Sequence, residues 1–151
     1  MVGKILEGIA TGLFVGKVKY FPGTLGSLWA IPFILLARDL FSFTIIFFLL
    51  FVFGVISADF VSKKRGEKDP KEVVIDEIVG FFVSTFNLEP NFKNLALAFI
   101  LFRLFDILKP FPIREVENLG GGLGIVLDDV VAGAYVCVVL WILKVYVSLY
   151  I

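Results

Sequence analysis

Residues 40–58, LFSFTIIFFLLFVFGVISA, form a nineteen-residue run without a charge. A run of this length is close to what a helix needs to cross the hydrocarbon core of a bilayer. In lipid, backbone N–H and C=O groups must be satisfied within the chain, so a helix is the form open to it. The whole composition points the same way. The 151 residues are 59% hydrophobic and 19% charged, with 18 phenylalanines and a mean hydropathy of +0.97. Soluble domains are about half apolar and about a quarter charged.

The other apolar stretches are shorter or interrupted. Residues 1–20, MVGKILEGIATGLFVGKVKY, mix apolar and basic residues and predict an interfacial amphipathic helix. Lys4, Glu7 and Lys17 break this stretch and no small-residue cleavage pattern is visible, so it does not read as a secretory signal. SLWAIPFILLA (27–37) is too short to span unless tilted or re-entrant. VVIDEIVGFFVSTF (73–86) and LALAFILFRLFDIL (95–108) each carry ionised residues. The last stretch, DDVVAGAYVCVVLWILKVYVSLYI from Asp128, is interrupted only by Lys144 and is long enough to span. The expected architecture is all-α: one membrane-embedded domain over 1–151, an integral membrane helical bundle with short helices, partly re-entrant or tilted.

Charge excludes several classes of function. The net charge is zero, so no basic field points to nucleic acid. Histidine is absent, which removes the commonest general base and any His-based triad or zinc site. Cys137 is the single cysteine and lies in an apolar run, so neither a disulfide framework nor a thiol–metal cluster is available. Chemistry is left to carboxylates, Arg, Lys, hydroxyls and backbone.

Positive charge supplies an orientation for this multi-pass chain. The 61–72 connector carries Lys63, Lys64, Arg65, Lys68 and Lys71, which places it in the cytoplasm as a solvated topology signal facing lipid headgroups. Arg38–Asp39 and the 87–94 connector then fall outside. Asp76 and Glu77 start their segment on the cytoplasmic side, Arg103 and Asp106 end theirs there, and Asp128 and Asp129 begin the last. FPGTLGS (21–27) begins the first hairpin on that side too. Four stretches far apart in sequence share one depth, and ionisable groups within membrane segments are functional candidates.

Asp76, Glu77, Asp106, Asp128 and Asp129 would repel one another unless a cation sat between them. Hard oxygen ligands without His or Cys point to Mg²⁺ or a similar ion, which can polarise a phosphoryl oxygen and supply a hydroxide nucleophile. Arg103 and Lys109 suit phosphate, the first bidentately and the second as a point charge. Thr24 and Ser27 offer hydroxyls at a helix N-terminus, and GGGLG (120–124) precedes another helix start. Plainer readings stand beside these. Asp128 and Asp129 in a first turn also complement the helix dipole, and Arg103–Asp106 also reads as an intrahelical ion pair. Gly80 and Gly133 read as close-packing positions. PGTLGS also reads as an ordinary loop.

FPGTLGSLWAIP (21–32), VVIDEIVG (73–80), FRLFDILKPFPI (102–113) and GGLGIVLDDVVAG (121–133) together resemble the four signature blocks of phosphatidylglycerophosphatase A, in order and approximate spacing. The resemblance implies a small bacterial enzyme of the inner membrane, with its active site on the cytoplasmic side. It implies Mg²⁺-dependent removal of the terminal phosphate of a phospholipid substrate, phosphatidylglycerophosphate, giving phosphatidylglycerol and inorganic phosphate. It makes Asp76, Glu77, Asp106, Asp128 and Asp129 the acidic core, Arg103 and Lys109 the basic partners, and Thr24 and Ser27 the loop hydroxyls. The expected metal ligands are Glu77, Asp106, Asp128 and Asp129, with Asp76 a further ligand or the base orienting water. The connector REVENLGGG (114–122) departs from the blocks, so Glu115, Glu117 and Asn118 carry little weight.

Direct water attack and a covalent aspartyl-phosphate both stay open, although the sequence has neither a DxDx(T/V) nor a CxxxxxR pattern. Two rival functions fit less well. A Mg²⁺-dependent membrane lipid transferase should show spaced acidic motifs such as DxxDG…GxxxDxxxD, which are missing. An ion-coupled transporter should place its charges near mid-membrane and show repeated halves.

Overall fold

The computed structural model describes residues 1–150, so Ile151, the end of the last predicted segment, lies outside the described residues. Among those residues every regular element is helical, as the composition requires. Helix α1 covers Val2–Ala10, α2 Pro22–Trp29, α3 Ile31–Leu36, α4 Leu40–Arg65, α5 Ile75–Ser84, α6 Phe92–Leu108, α7 Ile113–Glu117 and α8 Gly121–Tyr150. A 3₁₀ turn lies at Val15–Lys17.

Helix α4 contains the uncharged run. Asp39 and Ser42 form a capping box at its start, with Ser42 N donating to Asp39 Oδ1 at 2.7 Å and Asp39 N donating to Ser42 Oγ at 3.1 Å. Gly66, at φ 68°, ends it. Its 26 residues rise about 39 Å, more than the ~30 Å hydrocarbon core. Only 11% of its most apolar window is buried, and Phe41, Phe48 and Phe53 point outward. An apolar helix that exposes most of its sides is suited to lipid rather than water. Helix α8 is the second element long and apolar enough to cross a membrane.

The short helix α5 is the hub. It packs against α2, α4, α6 and α8, and eight of its ten residues are buried. Glycines set its distance from α8. A Cβ on Gly80 would lie 2.6 Å from the Asp129 carbonyl oxygen, and one on Gly133 would run into the Gly80 carbonyl. The packing reading of both glycines holds, and the backbones of α5 and α8 touch there.

Several predicted boundaries move. The amphipathic 1–20 helix stops at Ala10, where Thr11 Oγ1 donates to Glu7 O at 2.8 Å and accepts from Phe14 N at 3.1 Å. Gly12, Leu13 and Phe14 all take positive φ, which no helix accommodates. The 27–37 segment starts earlier, at Pro22, and breaks at Ala30. Pro32 stands in the first turn of α3, where its missing N–H costs nothing. The 15 residues from Pro22 to Leu36 are too few to cross a bilayer. Helix α8 begins at Gly121, not at Asp128, so the two aspartates sit about two turns inside it and do not complement its first turn. The glycines themselves enter the helix because they fit against α4. Gly122 N donates to Asp59 Oδ1 at 3.2 Å, and a Cβ there would strike the Val55 carbonyl.

Candidate active site

Helix α5 opens with Asp76 and Glu77 in its first turn, where unpaired N–H groups favour negative charge. Residues four apart share a helix face, so Asp76 stands over Gly80 as Asp129 stands over Gly133. The Gly80–Gly133 contact therefore carries the two carboxylates toward each other. One carboxylate oxygen each from Asp76, Glu77 and Asp129 lies within 4.8 Å of the others. Asp76 and Asp129 are buried, at 8% and 3% exposure. Asp76 Oδ1 and Glu77 Oε2 are buried without a hydrogen-bond partner.

The last turns of α6 bring the counter-charge. Arg103 Nη1 lies 2.8 Å from Asp106 Oδ2 and 3.9 Å from Glu77 Oε1. Nη1 makes a hydrogen bond to neither oxygen and is buried with donor capacity unused. Polar groups buried without partners are costly in a finished core, and these three converge on one place. Three all-oxygen donors, two of them with free acceptors, fit a hard divalent cation. Arg103 fits an anion beside it.

A cavity of about 290 Å³ opens next to Glu77 and Arg103. Gly23 and Thr24 from α2 form one wall, and Asp69 and Lys71 from the connector before α5 form another. The Glu77 carboxylate comes up against Gly23, where a Cβ would meet Oε1 and force that side chain to shift. Ser27 is fully buried, and its hydroxyl donates to the Gly23 carbonyl at 3.0 Å. It shapes the Gly23 turn from behind and does not line the cavity.

Asp128 and Asp129 part company. Helical neighbours point about 100° apart, and Asp128 turns toward Lys109, whose Nζ lies 2.7 Å from its Oδ2. Lys109 also pairs with Glu117 Oε2 at 3.1 Å. Burial works against the Lys109 ammonium, but the hydrogen bonds and charges of Asp128 and Glu117 outweigh it and raise its pKa. Lys109 reaches this position from the left-handed C-cap of α6, at φ 43°. Asp128 is thus brought into an ion-paired triad beside the acidic cluster and outside its three-carboxylate set.

Sequence reasoning missed four residues. Asp69 and Lys71 sit in a connector that reads as solvated, yet Pro70 between them is fully buried. The signal was the Asp-Pro dipeptide, which marks a fixed turn. Asp69 keeps an exposed edge, but surrounding protein at the cavity mouth raises its pKa, with Lys109 opposing that rise. Glu117 and Asp59 find their partners only through tertiary contact, and no local signal marks either.

Residues 8–144 match the family described as phosphatidylglycerophosphatase A. A Bacteroides thetaiotaomicron protein, provisionally named a phosphatidylinositol-3-phosphatase, is 39% identical over 84% of this chain and 86% of its own. Two proteins named phosphatidylglycerophosphatase A are also similar. The one from Escherichia coli K12 is 36% identical over 83% of this chain and 75% of its own. The one from Haemophilus influenzae is 35% identical over 90% and 86%. No solved structure matches.

Proposed function

Since the chain belongs to the phosphatidylglycerophosphatase A family, we propose that it hydrolyses the terminal phosphomonoester of phosphatidylglycerophosphate in a Mg²⁺-dependent reaction. The observation that carries this reading is the convergence of three carboxylates with a guanidinium whose buried donor is unused. Asp76, Glu77 and Asp129 are the residues that would hold Mg²⁺. When bound, the ion would relieve their mutual repulsion and polarise a phosphoryl oxygen.

The protein's own groups account for the remaining steps. Arg103 binds the phosphoryl oxygens, and Asp106, three residues on, fixes the guanidinium from the side. Thr24 faces the cavity, and its hydroxyl orients the monoester. Asp76 lines the same cavity with Oδ1 free, which fits it to take the proton of the attacking water. The bond from water oxygen to phosphorus forms as the bond from phosphorus to the glycerol oxygen breaks, and the proton ends on that alcohol. Lys109 and Asp128 hold the base of this arrangement through their ion pair rather than by touching the phosphate.

We place the site at the cytoplasmic face of the bacterial inner membrane. Lys63, Lys64 and Arg65 end α4 just before the connector that lines the cavity, and positive charge marks the cytoplasmic side. A phospholipid can then keep its acyl chains in the bilayer with its phosphate at the level of the cavity.

The Bacteroides thetaiotaomicron relative supports a second reading, in which the monoester sits on an inositol headgroup. Phosphate release from phosphatidylglycerophosphate, phosphatidylinositol 3-phosphate and phosphatidic acid, with Mg²⁺ and with chelator, tests both. The expected result is Mg²⁺-dependent release from phosphatidylglycerophosphate. Release only from the inositol lipid would transfer the assignment to the second reading, and release unaffected by chelator would remove the metal.

A further inference from the structure

The basic stretch 61–72, whose first five residues belong to the end of α4, is less uniform than its sequence. Lys63 pairs with Asp59 at 2.6 Å, Lys64 with Glu7 at 2.7 Å and Arg65 with Glu72 at 2.6 Å. Lys68 donates to Asn118 Oδ1 at 3.3 Å. Lys71 has no hydrogen bond or ion pair among the described residues, and of these five cations it is the one that lines the cavity. A signal for topology alone needs charge anywhere on the connector. It does not need one cation left unpaired at a cavity mouth while its neighbours are engaged.

The backbone holds Lys71 in place. Pro70 and Val73 are buried on either side of it, and Val73 N donates to Pro70 O at 2.9 Å, closing a turn around Lys71. Asp69 also lines the cavity, but no ion pair or hydrogen bond joins it to Lys71 among the described residues. Lys71 therefore keeps its charge available. Arg103 lines this cavity as a mostly buried group beside Glu77 and Asp106, while Lys71 lines it as an exposed one. Two cations lining one cavity, one exposed and one mostly buried, match a ligand with two anionic groups along one headgroup.

We propose that Lys71 binds the diester phosphate of a lipid headgroup that carries two phosphates, while Arg103 takes the terminal monoester. This subsite rests on the lipid phosphomonoesterase reading above. It gives a physical basis for choosing phosphatidylglycerophosphate over phosphatidic acid, whose single phosphate can satisfy only one of the two cations.

The test uses the full chain in neutral detergent micelles, which carry no surface potential of their own. Phosphate release from phosphatidylglycerophosphate is measured for wild type, Lys71→Gln, Lys71→Arg and Lys68→Gln, with phosphatidic acid followed as substrate or competing inhibitor. Lys71→Gln should raise KM for phosphatidylglycerophosphate about tenfold at nearly constant kcat, the pattern of a lost binding contact. Phosphatidic acid should be handled as by wild type, Lys71→Arg should keep most of the affinity, and Lys68→Gln should resemble wild type. An unchanged KM in Lys71→Gln, an equal loss on both lipids, or the same loss in Lys68→Gln would overturn the subsite while leaving the activity standing. Wild type that releases no phosphate from phosphatidylglycerophosphate would instead remove the activity, and the subsite with it.

Discussion

The Gly80 Cα faces the backbone of Asp129 so closely that a single added methyl would lie 2.6 Å from the Asp129 carbonyl oxygen. The obstacle is backbone and the Phe102 ring, neither of which can move aside cheaply. Gly80→Ala should push α8 from α5 and separate Asp129 from Asp76. Overpacking of this kind costs about 1–3 kcal/mol, and a misplacement of about 1 Å at a reacting centre costs on the order of 100-fold in rate. Thermal unfolding and phosphate release measured together check this. A variant with wild-type turnover would mean that the glycine contact does not set the carboxylate spacing.

Asp128 and Asp129 should respond differently to the same substitution. Asp129→Asn removes a member of the three-carboxylate cluster and should abolish turnover while the protein still folds; Asp106→Asn, which frees Arg103, should do the same. Asp128→Asn should cost stability first, because it leaves Lys109 with Glu117 alone. Lys109→Met is the harsher change. It strands a buried carboxylate, a loss of about 3–5 kcal/mol. Unfolding midpoints and kcat for the four variants give the comparison, and loss of turnover without loss of stability in Asp128→Asn would return that residue to the catalytic set.

Mg²⁺ should stabilise the folded chain as well as support turnover. Asp76, Glu77 and Asp129 crowd three carboxylates into one place, and an ion that binds only the folded form stabilises by about 2.7 kcal/mol at 100 times its Kd. The unfolding midpoint should rise with Mg²⁺ in wild type and not in Asp129→Asn. Equal shifts in both proteins would place the ion elsewhere.

Glu7 links α1, the 3₁₀ turn and α4 by accepting from Lys17 Nζ at 2.6 Å and Lys64 Nζ at 2.7 Å. Those bonds, that from Lys17 foremost, hold its carboxyl down at about 2. A folded pKa below the unfolded value means the contribution is present above the unfolded pKa and is lost as pH falls toward the folded one. Stability should therefore decline between about pH 5 and pH 2 more steeply in wild type than in Glu7→Gln. Parallel pH profiles for the two proteins would show that the clip contributes nothing.

Much of this arrangement is legible in the amino-acid sequence. Charge placement puts Asp76, Glu77, Arg103 and Asp106 in one group, and the structure brings Asp76 beside Glu77 and Arg103 beside Glu77 and Asp106. Which of two adjacent aspartates enters the cluster was not legible, because it depends on how α8 is rotated. That rotation is set by Gly80, Gly133 and the Gly122–Asp59 bond, all of them long-range. The start of α8 was misplaced for the same reason: three glycines disfavour helix in isolation, and only Asp59, 63 residues away, makes a helical Gly122 worthwhile. The connector before α5 looked solvated because its composition is charged, while the burial of Pro70 is a tertiary fact.

The exposed flank of α4 has a practical meaning. Phe41, Phe48 and Phe53 are left exposed by the described residues, so whatever amphiphile surrounds the protein completes its structure. A denaturation midpoint measured after extraction is then a property of a protein–detergent pair. Changing the detergent's chain length should shift that midpoint even where every residue is unchanged.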